Sequence, residues 1–230
     1  MMDIFSTFFN PFIWGTAITI ASILVLFEKR QFVLQQARLL FDLNWIKPAI
    51  TSSTHTLTHK GGISKYYFNL DYLTTVPEEV ASITNWYVEV VNDFKSSDDI
   101  DGLIFIEKDS GPIGAISLMG GIISQTGLPA VIARLRKRAS HAKISGSPEV
   151  LEKLSKGSKV LIITDAITTT RTVKDTMETV NNFGARVVGI CTLLDRQPVH
   201  KDFVDNVRIV QGVTEKELVS AEVVKADGVY

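Results

Sequence analysis

Residues 160–172 read VLIITDAITTTRT and combine an apolar run, a single carboxylate at Asp165 and a cluster of hydroxyls. Val160 to Ile163 are apolar on both faces, which is typical of a buried parallel strand covered by helices. The hydroxyl-rich stretch leads into Val173 to Phe183, where apolar residues recur at helical spacing. Free N–H groups at a helix start attract anions, and Arg171 adds a fixed positive charge. The pattern therefore predicts a phosphate site where the strand ends.

The same hydroxyls have a second interpretation that needs no ligand. Threonine favours the N-cap position of a helix whether or not an anion binds there. Short motifs of this kind also match by chance. The segment alone leaves both interpretations open.

Two further segments carry side chains that could bind a ligand: a charged triplet at the end of a predicted strand, and a pair of aromatic residues upstream. Residues 185–197 read ARVVGICTLLDRQ, an apolar strand that closes on the Asp-Arg-Gln triplet 195–197. A planar guanidinium at this position suits a planar or carboxylate-bearing ligand. Upstream, residues 61–69 read GGISKYYFN and place two aromatic rings side by side at Tyr67 and Phe68.

These segments, together with residues 165–169, occur in an order that resembles the orotate phosphoribosyltransferases, which have the type I phosphoribosyltransferase fold. The resemblance covers about residues 31–213. It implies an α/β fold built on a parallel sheet, with a small hood near residues 48–75 that folds over the base. Further strands are predicted over residues 103–106, 128–133 and 207–210. The alternation of predicted strands and helices favours the same architecture, with helices on both faces of the sheet.

The resemblance also implies an activity. A phosphoribosyl group would pass from phosphoribosyl diphosphate to orotate, which gives orotidine monophosphate and diphosphate. Magnesium would be bound through the diphosphate, with no direct protein ligand. In the family, loop residues from a second subunit complete the active site, so a homodimer is expected.

Two sets of substrate-binding residues follow from the resemblance. The residues expected to bind phosphoribosyl diphosphate are Thr164, Asp165, Ala166, Ile167, Thr168, Thr169, Thr170, Arg171, Thr172, Lys108, Ser110 and Gly111. The residues expected to bind orotate are Lys60, Tyr67, Phe68, Thr168 and Arg196.

Residues 134–143 read RLRKRASHAK and resemble the flexible catalytic loop of the family. Preplaced cations of such a loop stabilise the charge that develops on the departing diphosphate. A solvated basic turn or a nucleic-acid patch would also explain these charges. The formal net charge of −1 offers no broader basic face, so no nucleic-acid partner is expected. The expected catalytic residues are Asp165, Arg136, Lys137, Arg138 and His141.

The sequence departs from the family pattern where phosphoribosyl diphosphate binds. Thr164 replaces the first of two acids, and Thr170 replaces a loop glycine that reaches positive φ easily. Lys108 is displaced by two positions, and Asp109 brings negative charge near an anion. These departures motivate an alternative function: a catalytically inactive, membrane-anchored sensor that binds a pyrimidine or a nucleotide. Transfer to a purine or to uracil fits the hood and Arg196 less well.

The N-terminus carries a separate signal. Residues 4–27 contain no charged residue and would span roughly 36 Å as a helix, enough to cross a bilayer core. We predict a single membrane anchor over residues 1–30 and a phosphoribosyltransferase-like domain over 31–230. Lys29 and Arg30 follow the apolar run, so the positive-inside rule keeps the domain in the cytoplasm. A helix buried in an oligomer interface is the alternative.

The single cysteine, Cys191, lies in a predicted core strand. One cysteine forms no disulfide framework and no cysteine-based metal site, which suits a reducing compartment. The helix pattern that starts at residues 75–79 with Pro77 continues with apolar residues on one face, which are Val80, Ile83, Tyr87, Val91 and Phe94. This face is interpreted as core packing.

Overall fold

The computed structural model describes residues 50–57, 63–68, 74–108, 114–135, 143–167, 170–196, 203–204 and 207–221. The predicted anchor over residues 1–30 lies outside these ranges. Of the helices in the described ranges, none is both long and apolar enough to span a bilayer.

Two antiparallel strands form a small hairpin in the region predicted as the hood. Strand β1 spans Ile50–Leu57 and strand β2 spans Ile63–Phe68. They pair from Ile50 opposite Phe68 to Leu57 opposite Ile63, with a register shift between Ser52 and Thr56.

The described residues also form a seven-stranded main sheet, in the spatial order β5-β4-β3-β6-β7-β9-β8. Its five central strands are parallel, and one antiparallel strand lies at each edge. The strands are β3 Gly102–Lys108, β4 Ala130–Leu135, β5 Lys143–Ser145, β6 Lys159–Ile167, β7 Arg186–Asp195, β8 Phe203–Val204 and β9 Val207–Thr214. The helices are α1 Pro77–Asp98, a 3₁₀ turn Gly114–Leu118 that leads into α2 Met119–Thr126, α3 Pro148–Leu154, α4 Thr170–Phe183 and α5 Glu215–Ser220.

Side chains of the central strands alternate between two hydrophobic layers. Leu103, Phe105 and Leu161 pack in one layer with α1, α2 and α5. Ile104 and Ile162 pack in the other layer with α3 and α4. Because both faces of the sheet are covered, the central strands read as continuous apolar runs in the sequence.

Helix α1 lies against β7 and β9 through one close approach and one ion pair. A Cβ atom at Gly189 would overlap the ring of Phe94, so only glycine lets this helix approach the strand. Arg208 on β9 pairs with Asp93 at 3.2 Å, and its guanidinium lies 4.0 Å from the centre of the Phe94 ring. These contacts fix the helix that lies beneath the end of β6.

The chain order reverses between β3 and β6. From β3 the chain adds β4 on one side, then crosses back to add β6, β7 and β9 on the other. In open parallel sheets, ligands bind beyond the carboxyl ends of the strands at such a reversal. The ends of β3 and β6 therefore mark the candidate site.

Several predicted elements are confirmed, and some boundaries were wrong. The predicted face of α1 is buried at Ile83, Tyr87 and Phe94, and the predicted strands appear as β3, β4, β6, β7 and β9. Residues 164–167 continue β6, because Thr164, Ala166 and Ile167 pair with β7 and the side chains of Thr164 and Ile167 are buried. The basic segment is shorter than predicted, since Arg134 lies in β4 and Lys143 in β5, paired with each other.

Candidate functional site

The end of β6 presents one carboxylate that its own neighbours hold in place. Asp165 Oδ1 accepts a hydrogen bond from the Ala166 N–H at 2.7 Å and one from the Thr164 hydroxyl at 3.3 Å. Asp165 and Ala166 are partly exposed, whereas Thr164 and Ile167 are buried. The Asp165 carboxylate is therefore accessible at the carboxyl end of β6, whereas the Thr164 side chain is buried.

The start of α4 lies just beyond this carboxylate. The helix begins at Thr170, so Thr170, Arg171 and Thr172 form its first turn. A helix N-terminus carries unpaired N–H groups and a partial positive charge, which together bind phosphate. The strand, the acid and the helix start therefore follow one another as the sequence predicted.

The end of β7 lies directly beside the end of β6. Ile167 pairs with Asp195, and the Arg196 N–H donates to the Ile167 carbonyl at 2.7 Å. The two motifs that the sequence assigned to sugar phosphate and to base are therefore neighbours across one strand pair. A single nucleotide is large enough to touch both.

The Arg196 guanidinium faces a buried acid that sequence reasoning missed. Its Nε lies 3.9 Å from Oε2 of Glu215, with the two side chains 14% and 8% exposed. Glu215 is the first residue of α5, where the helix dipole stabilises a carboxylate. Among the described residues, neither carboxylate oxygen of Glu215 has a hydrogen-bond partner, so the pair is held by charge alone.

A signal for this acid was present in the sequence. Thr214 and Glu217 form a reciprocal capping box at the start of α5, in which each side chain binds the other's main-chain N–H. That spacing fixes the helix start and puts Glu215 in its first turn. Its approach to Arg196 depends on β9 lying next to β7, which the motif does not encode.

Beneath the site, Tyr87 on α1 is fully buried and its hydroxyl donates to the Thr164 carbonyl at 2.8 Å. Burial raises the pKa of Tyr87 well above its usual value, and the nearby Cys191 and Asp165 raise it further. Burial likewise raises the pKa of the Cys191 thiol, which Arg208 partly opposes. The tyrosine therefore keeps its proton, and the thiol is not a nucleophile at neutral pH.

The ends of β3 and β4 carry an ion pair at the other side of the candidate site. Arg134 Nε lies 2.5 Å from Glu107 Oε2, and both side chains are about two-fifths exposed. The two residues are opposite each other in the parallel ladder. Arg134, predicted as part of the basic loop, is thus bound to Glu107, the residue before Lys108.

The structure describes only some of the predicted site residues. Tyr67 lies in β2 and Lys108 ends β3, while Phe68 packs in the hydrophobic layer that contains α1. The base-binding role of these aromatic residues stays a prediction. The predicted residues outside the described ranges are Lys60, Ser110, Gly111, Arg136, Lys137, Arg138, His141, Thr168 and Thr169. Within the described ranges, no three His, Cys, Asp or Glu side chains come together as a metal site.

Comparisons with known proteins identify the domain. Residues 112–217 match the family model for the phosphoribosyl transferase domain. An orotate phosphoribosyltransferase from Pyrococcus horikoshii is 28% identical over 153 residues, which cover 66% of this chain and 75% of that protein.

Solved structures show the same fold at lower identity. The crystal structure of orotate phosphoribosyltransferase from Aeropyrum pernix superposes with a TM-score of 0.59 at 16% identity, covering 76% of this chain and 93% of that one. UMP synthase from Leishmania donovani gives a TM-score of 0.60 at 21% identity over 83% of this chain, which spans only 39% of that protein. The match over residues 112–217 and these relatives support a phosphoribosyltransferase enzyme.

Proposed function

We propose that the chain transfers a phosphoribosyl group from phosphoribosyl diphosphate to orotate, giving orotidine monophosphate and diphosphate. The observation that carries this proposal is the hydrogen bond from the Arg196 N–H to the Ile167 carbonyl at 2.7 Å. It sets the predicted base-binding residue beside the predicted sugar-binding segment. Orotate phosphoribosyltransferases among the relatives support the choice of acceptor.

In this proposal the elements of the site bind different parts of the two substrates. The start of α4 binds the 5-phosphate through its main-chain N–H groups. The Asp165 carboxylate accepts hydrogen bonds from the ribose hydroxyls. The Arg196 guanidinium binds the ring and carboxylate of orotate through paired N–H donors.

The reaction is a substitution at the anomeric carbon of the ribose. A bond forms from orotate N1 to that carbon, and the bond from the carbon to the diphosphate oxygen breaks. The bonding electrons leave with the diphosphate, whose growing charge needs preplaced cations. Arg136, Lys137, Arg138 and His141 are proposed to supply them, with no covalent intermediate on the protein.

Magnesium is part of the proposal as an ion that arrives with the diphosphate. Mg²⁺ prefers oxygen ligands and keeps several of its water molecules. The partly exposed carboxylate of Asp165 suits such an ion, which it would hold through bound water. When bound, the ion neutralises part of the diphosphate charge.

A second candidate is a catalytically inactive sensor for a pyrimidine or a nucleotide. The position of Thr164 favours it, because this side chain replaces a family acid and lies buried against Asp165. The site then has one carboxylate, Asp165, to bind the ribose hydroxyls, where the family pattern has two. In the sensor, the base would still bind and the transfer step would be lost.

Turnover separates the two candidates. The full-length protein is incubated with orotate, phosphoribosyl diphosphate and Mg²⁺, and orotidine monophosphate is measured together with diphosphate. The enzyme gives both products in equal amounts, and Asp165→Asn or Arg196→Ala abolishes them. Orotate binding without product would reject catalysis and support the sensor.

We also propose that residues 4–27 anchor the chain in a membrane, with the domain in the cytoplasm, and that two chains form a homodimer. The support is the uncharged apolar run and the cations at Lys29 and Arg30. Alkaline carbonate extraction of membranes tests the anchor, and protease protection tests the orientation. Cross-linking of the full-length chain tests the dimer.

A further inference from the structure

The hydroxyl of Tyr87 makes a hydrogen bond to the strand that carries Asp165. It donates to the Thr164 carbonyl on β6 at 2.8 Å. The strand pairs Thr164 with Thr192 and Ala166 with Leu194 lie on either side of this point. The tyrosine therefore binds the main chain of β6 at the residue before Asp165.

The ring of Tyr87 is held so that its hydroxyl has little freedom to move. It is fully buried on α1 and meets Trp86 edge to face, with the ring centres 5.0 Å apart. Breaking this hydrogen bond would leave a buried hydroxyl and a buried carbonyl without a partner, which costs free energy. The hydrogen bond therefore couples the position of α1 to that of the main chain near the end of β6.

Two hydrogen bonds, joined through the covalent structure of Thr164, connect this hydroxyl to the carboxylate. The peptide that begins with the Thr164 carbonyl continues into Asp165, and the Thr164 hydroxyl donates to Asp165 Oδ1 at 3.3 Å. The Ala166 N–H donates to the same oxygen at 2.7 Å. Fixing the Thr164 carbonyl therefore fixes both donors that orient the carboxylate.

We propose that Tyr87 is a positioning residue for Asp165, which orients that carboxylate toward the ribose hydroxyls of phosphoribosyl diphosphate through the Thr164 carbonyl. This inference rests on the proposed binding role of Asp165. The inference also gives Thr164 a role. This residue stands where the family pattern has an acid, and its hydroxyl orients Asp165 by a hydrogen bond.

The test compares the affinity for the two substrates in Tyr87→Phe. This change keeps the ring and removes only the hydroxyl. Binding of phosphoribosyl diphosphate with Mg²⁺ to the full-length protein, measured by calorimetry, is expected to weaken about tenfold, the effect of losing one hydrogen bond. Binding of orotate is expected to change less than twofold, because Arg196 does not depend on this contact.

A matched control separates positioning from general loosening. Thr126 on α2 is also buried, and its hydroxyl donates to the Ile122 carbonyl at 2.8 Å, just before the amino end of β4. Thr126→Val should lower the thermal unfolding midpoint without changing either affinity. If both variants weaken both ligands equally, the role of Tyr87 is only structural and the inference is wrong.

The remaining outcomes distinguish this inference from the function on which it rests. If Asp165→Asn weakens phosphoribosyl diphosphate binding and Tyr87→Phe does not, the positioning role is wrong. If Asp165→Asn has no effect, the proposed sugar site itself is wrong. Should Tyr87→Phe not fold, Thr164→Val removes the next donor in the chain, and unchanged affinity there overturns the inference.

Discussion

Glu215 lies 3.9 Å from the Arg196 guanidinium, and both side chains are nearly buried. The distance is too long for a hydrogen bond, so the pair is an electrostatic contact between α5 and the end of β7. A guanidinium has five N–H donors, and none of them forms a hydrogen bond with Glu215. In the proposed function the carboxylate of orotate would be a second anion beside Arg196, next to Glu215.

Glu215→Gln should lower the free energy of unfolding by about 2 kcal/mol in the absence of ligand. Removing one partner of a buried pair leaves the other charge poorly compensated. Orotate should recover much of this loss, because its carboxylate supplies the missing negative charge. Urea unfolding with and without orotate measures both effects.

Glu217→Gln is the matched control on the same helix. Glu217 accepts from the N–H and the hydroxyl of Thr214 at 2.7 and 2.8 Å. Its loss should cost about 1 kcal/mol through the helix cap, and orotate should stabilise this variant no more than the wild type. Equal recovery of both variants by orotate would contradict the account of Glu215.

Gly189→Ala should destabilise the protein by about 3 kcal/mol, since overpacking a well-packed core carries a cost of this order. A Cβ there would overlap the ring of Phe94 and approach a methyl group of Leu161 at 2.9 Å. Helix α1 would have to move away from β7. Denaturant titration of the folded protein gives the change in free energy.

Gly120→Ala provides the opposite case within α2. Nothing lies within 4 Å of the position that its Cβ would occupy. Alanine has a higher helix propensity than glycine, so this change should stabilise by about 0.5–1 kcal/mol. A similar loss of stability in both variants would show that the close approach at Gly189 is not the cause.

Stability should fall as the pH rises above about 9. The buried Cys191 and Tyr87 have pKa values above their usual 9.0 and 10.0. In the unfolded chain both groups ionise at these usual values, whereas in the folded protein they keep their protons. The folded state then binds more protons, so the stability that is complete below pH 9 is lost as pH increases.

Urea midpoints measured between pH 7 and 10.5 test this dependence. Cys191→Val should remove the part of the decline that begins near pH 9, and Tyr87→Phe the part that begins near pH 10. A decline that is unchanged in both variants would assign the alkaline sensitivity to other groups.

The sequence predicted the features that depend on a short local pattern. The apolar runs of β3, β6 and β7 predicted buried parallel strands because each strand is covered on both faces. Pro77 and the acids after it predicted the start of α1, which begins at that residue. Helix α3 was not predicted, although Ser147 caps it and Pro148 opens it, because seven residues carry too little periodicity.

The sequence was less informative where a contact joins distant elements. Tyr87 was predicted as a core residue, and it is one, but its bond to Thr164 depends on how α1 crosses β6. Glu215 reaches Arg196 only because β9 pairs with β7. The end of β6 was misplaced because Thr164 and Ile167 are buried in the sheet, which a hydroxyl-rich segment does not indicate.

The central claim is that Asp165 and Arg196 hold two parts of one nucleotide. The most direct measurement is calorimetric binding of orotate, phosphoribosyl diphosphate and orotidine monophosphate to the wild type, Asp165→Asn and Arg196→Ala. We expect Arg196→Ala to weaken orotate at least tenfold and Asp165→Asn to weaken phosphoribosyl diphosphate by a similar factor, as for hydrogen bonds to charged groups. Each change should weaken orotidine monophosphate; if either leaves its affinity unchanged, the two residues do not share one ligand and the account is contradicted.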